Sequence, residues 1–282
     1  MKPFRSGPSI RGSPRRRPRS LYSAGAGDKP VDSVHWLYGR HAVVAALANP
    51  ERRWHRLAVL AGHEQEARTL VAAARAVRRD DGEPVRVLDR GGFAAFLPED
   101  AVHQGLALAV EPLAEPDLED VLRQGASRAG RSVIVLLDQV SDPHNVGAVL
   151  RSASAFGALA VVLTVHRAPR AAGALAKAAS GALERVPLVR VVNIARTVDR
   201  LKDAGFWICG LAATAPQTLA ALDLVEHVTL VLGSEGGGMR RLVRERCDRL
   251  ARLPTSAEQS TINISNAAAV ALYELVRDRS DP

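Results

Sequence analysis

Residues 132–137 are continuously apolar apart from the leading serine, and the run stops at Asp138. Short all-apolar strands of this kind are typical of parallel sheets covered on both faces. The same pattern predicts strands at 158–164, 188–191, 206–211 and 228–232, with helical periodicity between them and a last helix over about 263–277. Alternation of strand and helix argues for a doubly wound α/β domain. In such sheets ligands sit beyond the carboxyl ends of the strands, so the loops there are where chemistry is sought.

The first half is patterned differently. A Gly39-Arg40 turn leads into an apolar-rich helix that ends at Asn49-Pro50. Strands are predicted at 57–60, 85–88 and 106–110, a long helix over 64–79 stopped by Asp80-Asp81-Gly82, and a helical turn over 92–97. Order begins near Val34, and 34–112 is a small α/β domain. Pro112, Pro116, Gly125 and Gly130 punctuate one short helical segment, so 113–130 reads as the interdomain linker and 131–282 as the second domain.

Two domains agree with a length of 282 residues. Hydrophobic residues at 47% and charged residues at 24% are the balance of a globular protein. Two cysteines, Cys209 and Cys247, make neither a disulfide framework nor a zinc module. No stretch approaches the ~18 apolar residues of a membrane span, so no membrane partner is expected. Aromatics at 4% leave few rings for stacking on a ligand.

The net charge of +8 is concentrated in residues 1–33, where eight basic side chains face Asp28 and Asp32. That Pro-, Gly-, Ser- and Arg-rich segment has no hydrophobic period and reads as a disordered basic tail. It is either a phosphate-binding arm, a solvated extension without function, or an organellar transit peptide. A secretory signal is excluded by the missing apolar core, and a cytoplasmic protein is expected.

Three loops of the second domain exceed what packing asks. In 138–153 (DQVSDPHNVGAVLRSA), Asn145 is placed to cap a helix, and Arg151 returns to roughly the same face six residues on. A cation among Ala, Val and Leu needs an anionic partner, either a ligand or an internal salt bridge. In 231–239 (VLGSEGGGM), four glycines surround Glu235 and let backbone approach a ligand. Neither a P-loop nor GxGxxG is present. In 253–275, Thr261, Asn263, Ser265 and Asn266 precede an apolar helix, more polar groups than a cap uses.

In this order and spacing the three loops closely resemble the SpoU (TrmH-type) branch of the SPOUT superfamily of RNA ribose 2′-O-methyltransferases. YGRHAVVAAL at 38–47 and VHQGLALAVEP at 102–112 extend the resemblance to the small ribosomal-protein-like substrate-binding domain of two-domain members. The resemblance implies a parallel-sheet α/β domain with a deep trefoil knot, S-adenosylmethionine as cofactor, and a homodimer. It implies cofactor contacts at Leu211, Gly233, Leu253 and Ile262, and catalytic positions at Asn145, Arg151, Glu235, Thr261, Asn263 and Ser265. Thr261 stands where the family more often has serine, which leaves the hydroxyl but adds a methyl group to the target-ribose pocket. Arg40 and Arg151 are the implied RNA contacts.

Arginine is often proposed as the family's proton acceptor, but a guanidinium is a poor base. Arg151 is therefore read as a clamp on the phosphate beside the target ribose. Glu235 either accepts the proton or orients Arg151 or Asn145. The expected substrate is a guanosine of large-subunit ribosomal RNA. The alternatives are a transfer-RNA ribose methyltransferase and a non-catalytic RNA-binding assembly factor.

Overall fold

The computed structural model describes residues 34–78, 85–128, 130–166, 168–223, 226–256 and 262–277. The basic tail, residues 1–33, and Thr261 lie outside them. In the N-terminal part, β1 (His35–Tyr38) leads into α1 (Arg40–Ala48). Then follow β2 (Trp54–Leu60), α2 (Glu64–Arg78), β3 (Arg86–Leu88), α3 (Arg90–Ala94) and β4 (Leu106–Val110). The strands form one sheet in the order β1-β4-β2-β3, with β4 antiparallel to both neighbours and β2 parallel to β3. A parallel pair needs a crossover, and α2 supplies it.

Two details differ from the sequence pattern. Strand β2 starts at Trp54 rather than at 57, because a bulge between Trp54 and Arg56 lets Trp54 still face Val110. Helix α3 starts at Arg90 rather than at 92, because Asp89 accepts a hydrogen bond from Gly92 N at 2.7 Å and fixes the start earlier.

The segment between the sheets carries α4 (Leu118–Ser127), capped by Asp117. Beyond it the order is β5 (Ser132–Asp138), α5 (Pro143–Ala155), β6 (Ala160–Thr164), α6 (Gly173–Ala179) and β7 (Leu188–Val191). Next come α7 (Ile194–Asp203), β8 (Trp207–Leu211), β9 (Gln217–Thr218) and β10 (His227–Gly233). The chain ends with α8 (Arg241–Glu245), β11 (Arg249–Arg252) and α9 (Ile264–Val276). The sheet is parallel throughout, in the order β7-β6-β5-β10-β8-β11-β9.

Strand β5 explains its own composition. Its side chains alternate between faces, and every residue is buried. Val133, Val135 and Leu137 pack with Val149 and Leu150 of α5, Leu175 of α6 and Leu272 of α9. Ile134 and Leu136 pack with Leu122 of α4, Val198 and Leu201 of α7 and Val243 of α8. Between its two ends, Ser132 and Asp138, a strand covered on both faces has no position left for a polar residue.

The first core cluster does not stop at the second sheet. It runs on through Leu37, Val43, Leu47, Trp54 and Leu57, because α1 lies against α6 and the 3-10 turn Ala182–Glu184. Within that contact Arg52, 2% exposed, meets Glu184, whose side chain is 4% exposed. The guanidinium reaches the carboxylate at 2.6 to 3.2 Å and the Glu111 carbonyl at 2.8 Å, and Asn49 Nδ2 donates to the same carboxylate at 2.8 Å.

Candidate active site

Gly233 of β10 is level with Asp138 of β5, and Ala251 of β11 with Leu211 of β8. The loops that follow these strands therefore open along one edge of the sheet, and all three polar loops lie there. Asp138 is wholly buried. Its Oδ2 accepts from Arg240 N at 2.8 Å, and its Oδ1 from the Arg240 guanidinium at 2.7 and 2.8 Å. The residue after the glycine loop is thus fastened to the end of β5. In the sequence this carboxylate marks only where a strand stops.

The glycine loop closes on itself. Ser234 N donates to Gly238 O at 3.1 Å, and Gly238 N returns a bond to Ser234 O at 2.9 Å. Gly238 has φ +63, where a side chain would be strained. Gly233 needs glycine for another reason: a Cβ there would fall on the backbone of Gly238 and Met239. The closed loop holds Glu235 out from the sheet edge.

Asn145 does not cap α5. Asp142 does so, accepting from His144 N at 2.9 Å, with Pro143 in the first turn of the helix. That releases the Asn145 amide, whose Nδ2 donates to Glu235 Oε1 at 3.3 Å. Asn263 is the true cap of α9, its Oδ1 accepting from Ser265 N at 2.9 Å. Its Nδ2 donates to Glu235 Oε1 at 2.6 Å and to Asn145 Oδ1 at 3.1 Å. Ile264 N adds a longer contact to the same oxygen at 3.4 Å. One residue from each loop thus meets at a single carboxylate oxygen, while Glu235 Oε2 has no partner among the described residues.

The other expected positions are placed differently. Arg151 is exposed on α5 and has no hydrogen bond or ion pair among the described residues, so the internal salt bridge is not formed. Ser265 turns its hydroxyl to Asn263 Oδ1 at 2.5 Å, supporting the cap rather than facing an open cavity. Arg40 lies in the N-terminal part, 58% exposed, with its Nε on Glu66 Oε1 at 2.7 Å. That bond holds the Glu66 carboxyl below its ordinary pKa.

Beside the cluster lies a cleft of about 370 Å³. Leu211, Gly233, Leu253 and Ile262 all line it, together with Glu235 and the backbone of the glycine loop. Its size is within the usual range for small-molecule sites. Arg244 and Arg252, which nothing in the sequence singled out, also line it. Their signal is buried in a run of arginines from Arg240 to Arg252 that reads as a solvated face.

Residues 132–273 match the model of the SpoU rRNA methylase family, and residues 36–116 match that of the RNA 2′-O ribose methyltransferase substrate-binding domain. The chain belongs to the SpoU family. Among its relatives is the 23S rRNA (guanosine-2′-O-)-methyltransferase RlmB of Pseudomonas aeruginosa, 39% identical over 86% of this chain and 96% of that protein. RlmB of Escherichia coli is 37% identical over 86% and 98%. An uncharacterized tRNA/rRNA methyltransferase of Synechocystis is 37% identical over 89% of this chain but only 65% of its own length. The fold of the SpoU methyltransferase AviRb from Streptomyces viridochromogenes, solved with AdoMet, superposes with a TM-score of 0.71 at 21% identity. It covers 88% of this chain and 91% of that one.

Proposed function

We propose that this protein transfers a methyl group from S-adenosylmethionine to the 2′-hydroxyl of a ribose in RNA, the substrate being a guanosine of large-subunit ribosomal RNA. The observation that carries the proposal is the meeting of Asn145, Glu235 and Asn263 at the rim of the 370 Å³ cleft. The RlmB relatives, similar over almost their whole length, support the substrate.

The cleft suits the cofactor through its chemistry. Its wall is largely glycine-loop backbone, whose amides and carbonyls can satisfy a polar nucleoside, interrupted by the apolar side chains of Leu211, Leu232, Leu253 and Ile262. When bound, the cofactor supplies a methyl group on a positively charged sulfur. The protein's own share is to place and deprotonate the hydroxyl. Positioning alone supplies about 7–11 kcal/mol in well-oriented systems.

Arg151, exposed and without a competing carboxylate among the described residues, grips the phosphate beside the target ribose as a two-pronged donor. Asn145, held between Glu235 and Asn263, donates or accepts at the ribose. Glu235 Oε1 is occupied by amide donors, so Oε2 is the acceptor for the hydroxyl proton. Thr261, which precedes Ile262 in the sequence, is the hydroxyl residue that the family resemblance implies for the ribose. The part spanning 34–112 presents RNA, with Arg40 on its surface.

The segment from β10 to α9 is threaded as a trefoil knot. The molecule works as a cytoplasmic homodimer, with the exposed Val270 and Tyr273 of α9 in the contact between copies.

The test is incubation with methyl-labelled S-adenosylmethionine and, in parallel, unmethylated ribosomal and transfer RNA, followed by nuclease mapping. Label at one ribose of ribosomal RNA, lost in Arg151→Ala, is the expected result. Label in transfer RNA alone overturns the substrate, and no transfer to either overturns the activity.

A further inference from the structure

The cleft beside Glu235 is charged unevenly. Among the described residues that line it, Glu235 is the one acid, and Arg244 and Arg252 are the two bases. They belong to different walls. Glu235 is tied to Asn145 and Asn263, whereas Arg244 reaches Thr214 Oγ1 at 3.4 Å in the loop after β8. Arg252 ends β11, which pairs with β9 at Thr218. The uneven charge matches a ligand that is itself dipolar.

Arg252 is the more informative of the two. It is only partly exposed, and its guanidinium has no hydrogen bond and no ion pair among the described residues. The neighbouring arginines are all engaged: Arg240 with Asp138, Arg241 with Glu245, and Arg246 with Asp199. A guanidinium drawn partly out of water carries a desolvation cost that an anion offsets. Here the residue lines a cavity, and its side chain meets no carboxylate among the described residues.

We propose that Arg252, assisted by Arg244, binds the α-carboxylate of the cofactor's amino-acid moiety and so fixes which way round the cofactor enters the cleft. This rests on the S-adenosylmethionine reading above. The carboxylate is the single anionic group of that molecule, and a guanidinium fork fits it with two parallel hydrogen bonds. With the carboxylate held on the β11 wall, the cationic sulfonium is left toward Glu235, which the opposite charges favour. Arg252 is thus a binding residue that selects cofactor orientation, separate from the groups at the ribose.

The experiment is a thermodynamic cycle read by calorimetry, without catalysis. S-adenosylhomocysteine and its decarboxylated analogue, which differ only in the carboxylate, are titrated into the full-length protein and into Arg252→Met, Arg252→Lys and Arg244→Met. A hydrogen-bonded charge pair predicts a loss of roughly 10- to 100-fold in S-adenosylhomocysteine affinity for Arg252→Met. A smaller loss is expected for Arg244→Met and partial retention in Arg252→Lys. The decarboxylated analogue should bind wild type and Arg252→Met alike, at the weakened level.

Equal weakening of both ligands by Arg252→Met overturns the proposal, because Arg252 would then only shape the wall. Unchanged affinity for both, with a raised KM for RNA, overturns it in favour of an RNA phosphate contact. Failure of the wild-type protein to bind either ligand sinks the cofactor reading instead, so the two failures are distinguishable. Far-UV circular dichroism and the melting temperature of each variant verify that it is folded.

Discussion

Asn263 Nδ2 lies 2.6 Å from Glu235 Oε1 while Asn263 Oδ1 caps α9 through Ser265 N at 2.9 Å. One side chain therefore fixes the start of the last helix and the carboxylate of the glycine loop together. Fold and site share this residue, and its two bonds can be separated by substitution.

Asn263→Ser keeps a good helix cap but cannot reach Glu235 with an amide. Its stability should stay within a few tenths of a kcal/mol of wild type, while kcat falls by about 100-fold because Glu235 loses the shortest of its bonds and is held only by the longer ones from Asn145 and Ile264 N. Asn263→Ala loses the cap as well and should cost about 1 kcal/mol more in stability. Urea unfolding combined with single-turnover methyl transfer separates the two effects. Full activity in Asn263→Ser would remove Asn263 from the site.

The fold was legible where burial is two-sided. Strand β5 and the predicted 106–110 strand are found in the described structure, because full burial leaves an apolar run, while the 188–191 strand, Leu-Val-Arg-Val at the edge of the sheet, is found although only its first two residues are buried. Strands β1, β9 and β11 were not predicted. The four residues of β11 read Arg, Leu, Ala, Arg, which does not alternate, and β9 has only two residues, so neither carries a period. At the site, Asn145, Glu235 and Asn263 were singled out and do meet. The local role of Asn145 was misread: Asp142 precedes a proline suited to the first helical turn, which shifts the cap three residues earlier. Arg252 was hidden because its neighbours are solvated arginines, and only the topology that sets β11 beside β8 and β9 brings it to the cleft.

The buried Arg52–Glu184 pair should dominate the contact between the N-terminal sheet and the second sheet. Glu184→Leu alone strands a guanidinium that is 2% exposed, and breaking such a pair costs about 3–5 kcal/mol. Arg52→Met combined with Glu184→Leu should recover most of that loss, since a well-packed apolar replacement of a buried pair is often neutral. Chemical denaturation of wild type, both single variants and the double variant measures the coupling. Purely additive losses would mean that the pair contributes no specific interaction.

Gly233→Ala places a methyl group on the backbone of Gly238 and Met239, so the loop closed by Ser234 and Gly238 must open. Strain of about 1–3 kcal/mol in the loop should appear as a roughly tenfold or greater loss of cofactor affinity. RNA affinity should change little, because the N-terminal part and Arg151 are untouched. Calorimetry with S-adenosylhomocysteine beside filter binding of ribosomal RNA checks both halves. Unchanged cofactor affinity would show that the loop does not form the cofactor's wall.

Alkaline pH should weaken the fold through Cys209 and Cys247. Burial pushes the Cys209 thiol up to about 12 and the Cys247 thiol up to about 11, from an ordinary value of 9.0. Below pH 9 both thiols keep their protons in the folded and the unfolded chain, and they add no slope. Above it the unfolded chain loses protons that the folded chain retains. The folded state then binds more protons, so stability falls as pH rises through the window from about 9 to 11 and beyond. Urea midpoints between pH 7.5 and 10.5, in the presence of reductant, should therefore decline above pH 9, with a shallower decline in Cys209→Ala and Cys247→Ala. Thiols held as the protonated form are poor nucleophiles, so a thiol reagent at pH 8 should modify the folded protein far more slowly than the unfolded chain. Rapid modification of the native protein, or a slope unchanged in both variants, would place the alkaline instability elsewhere.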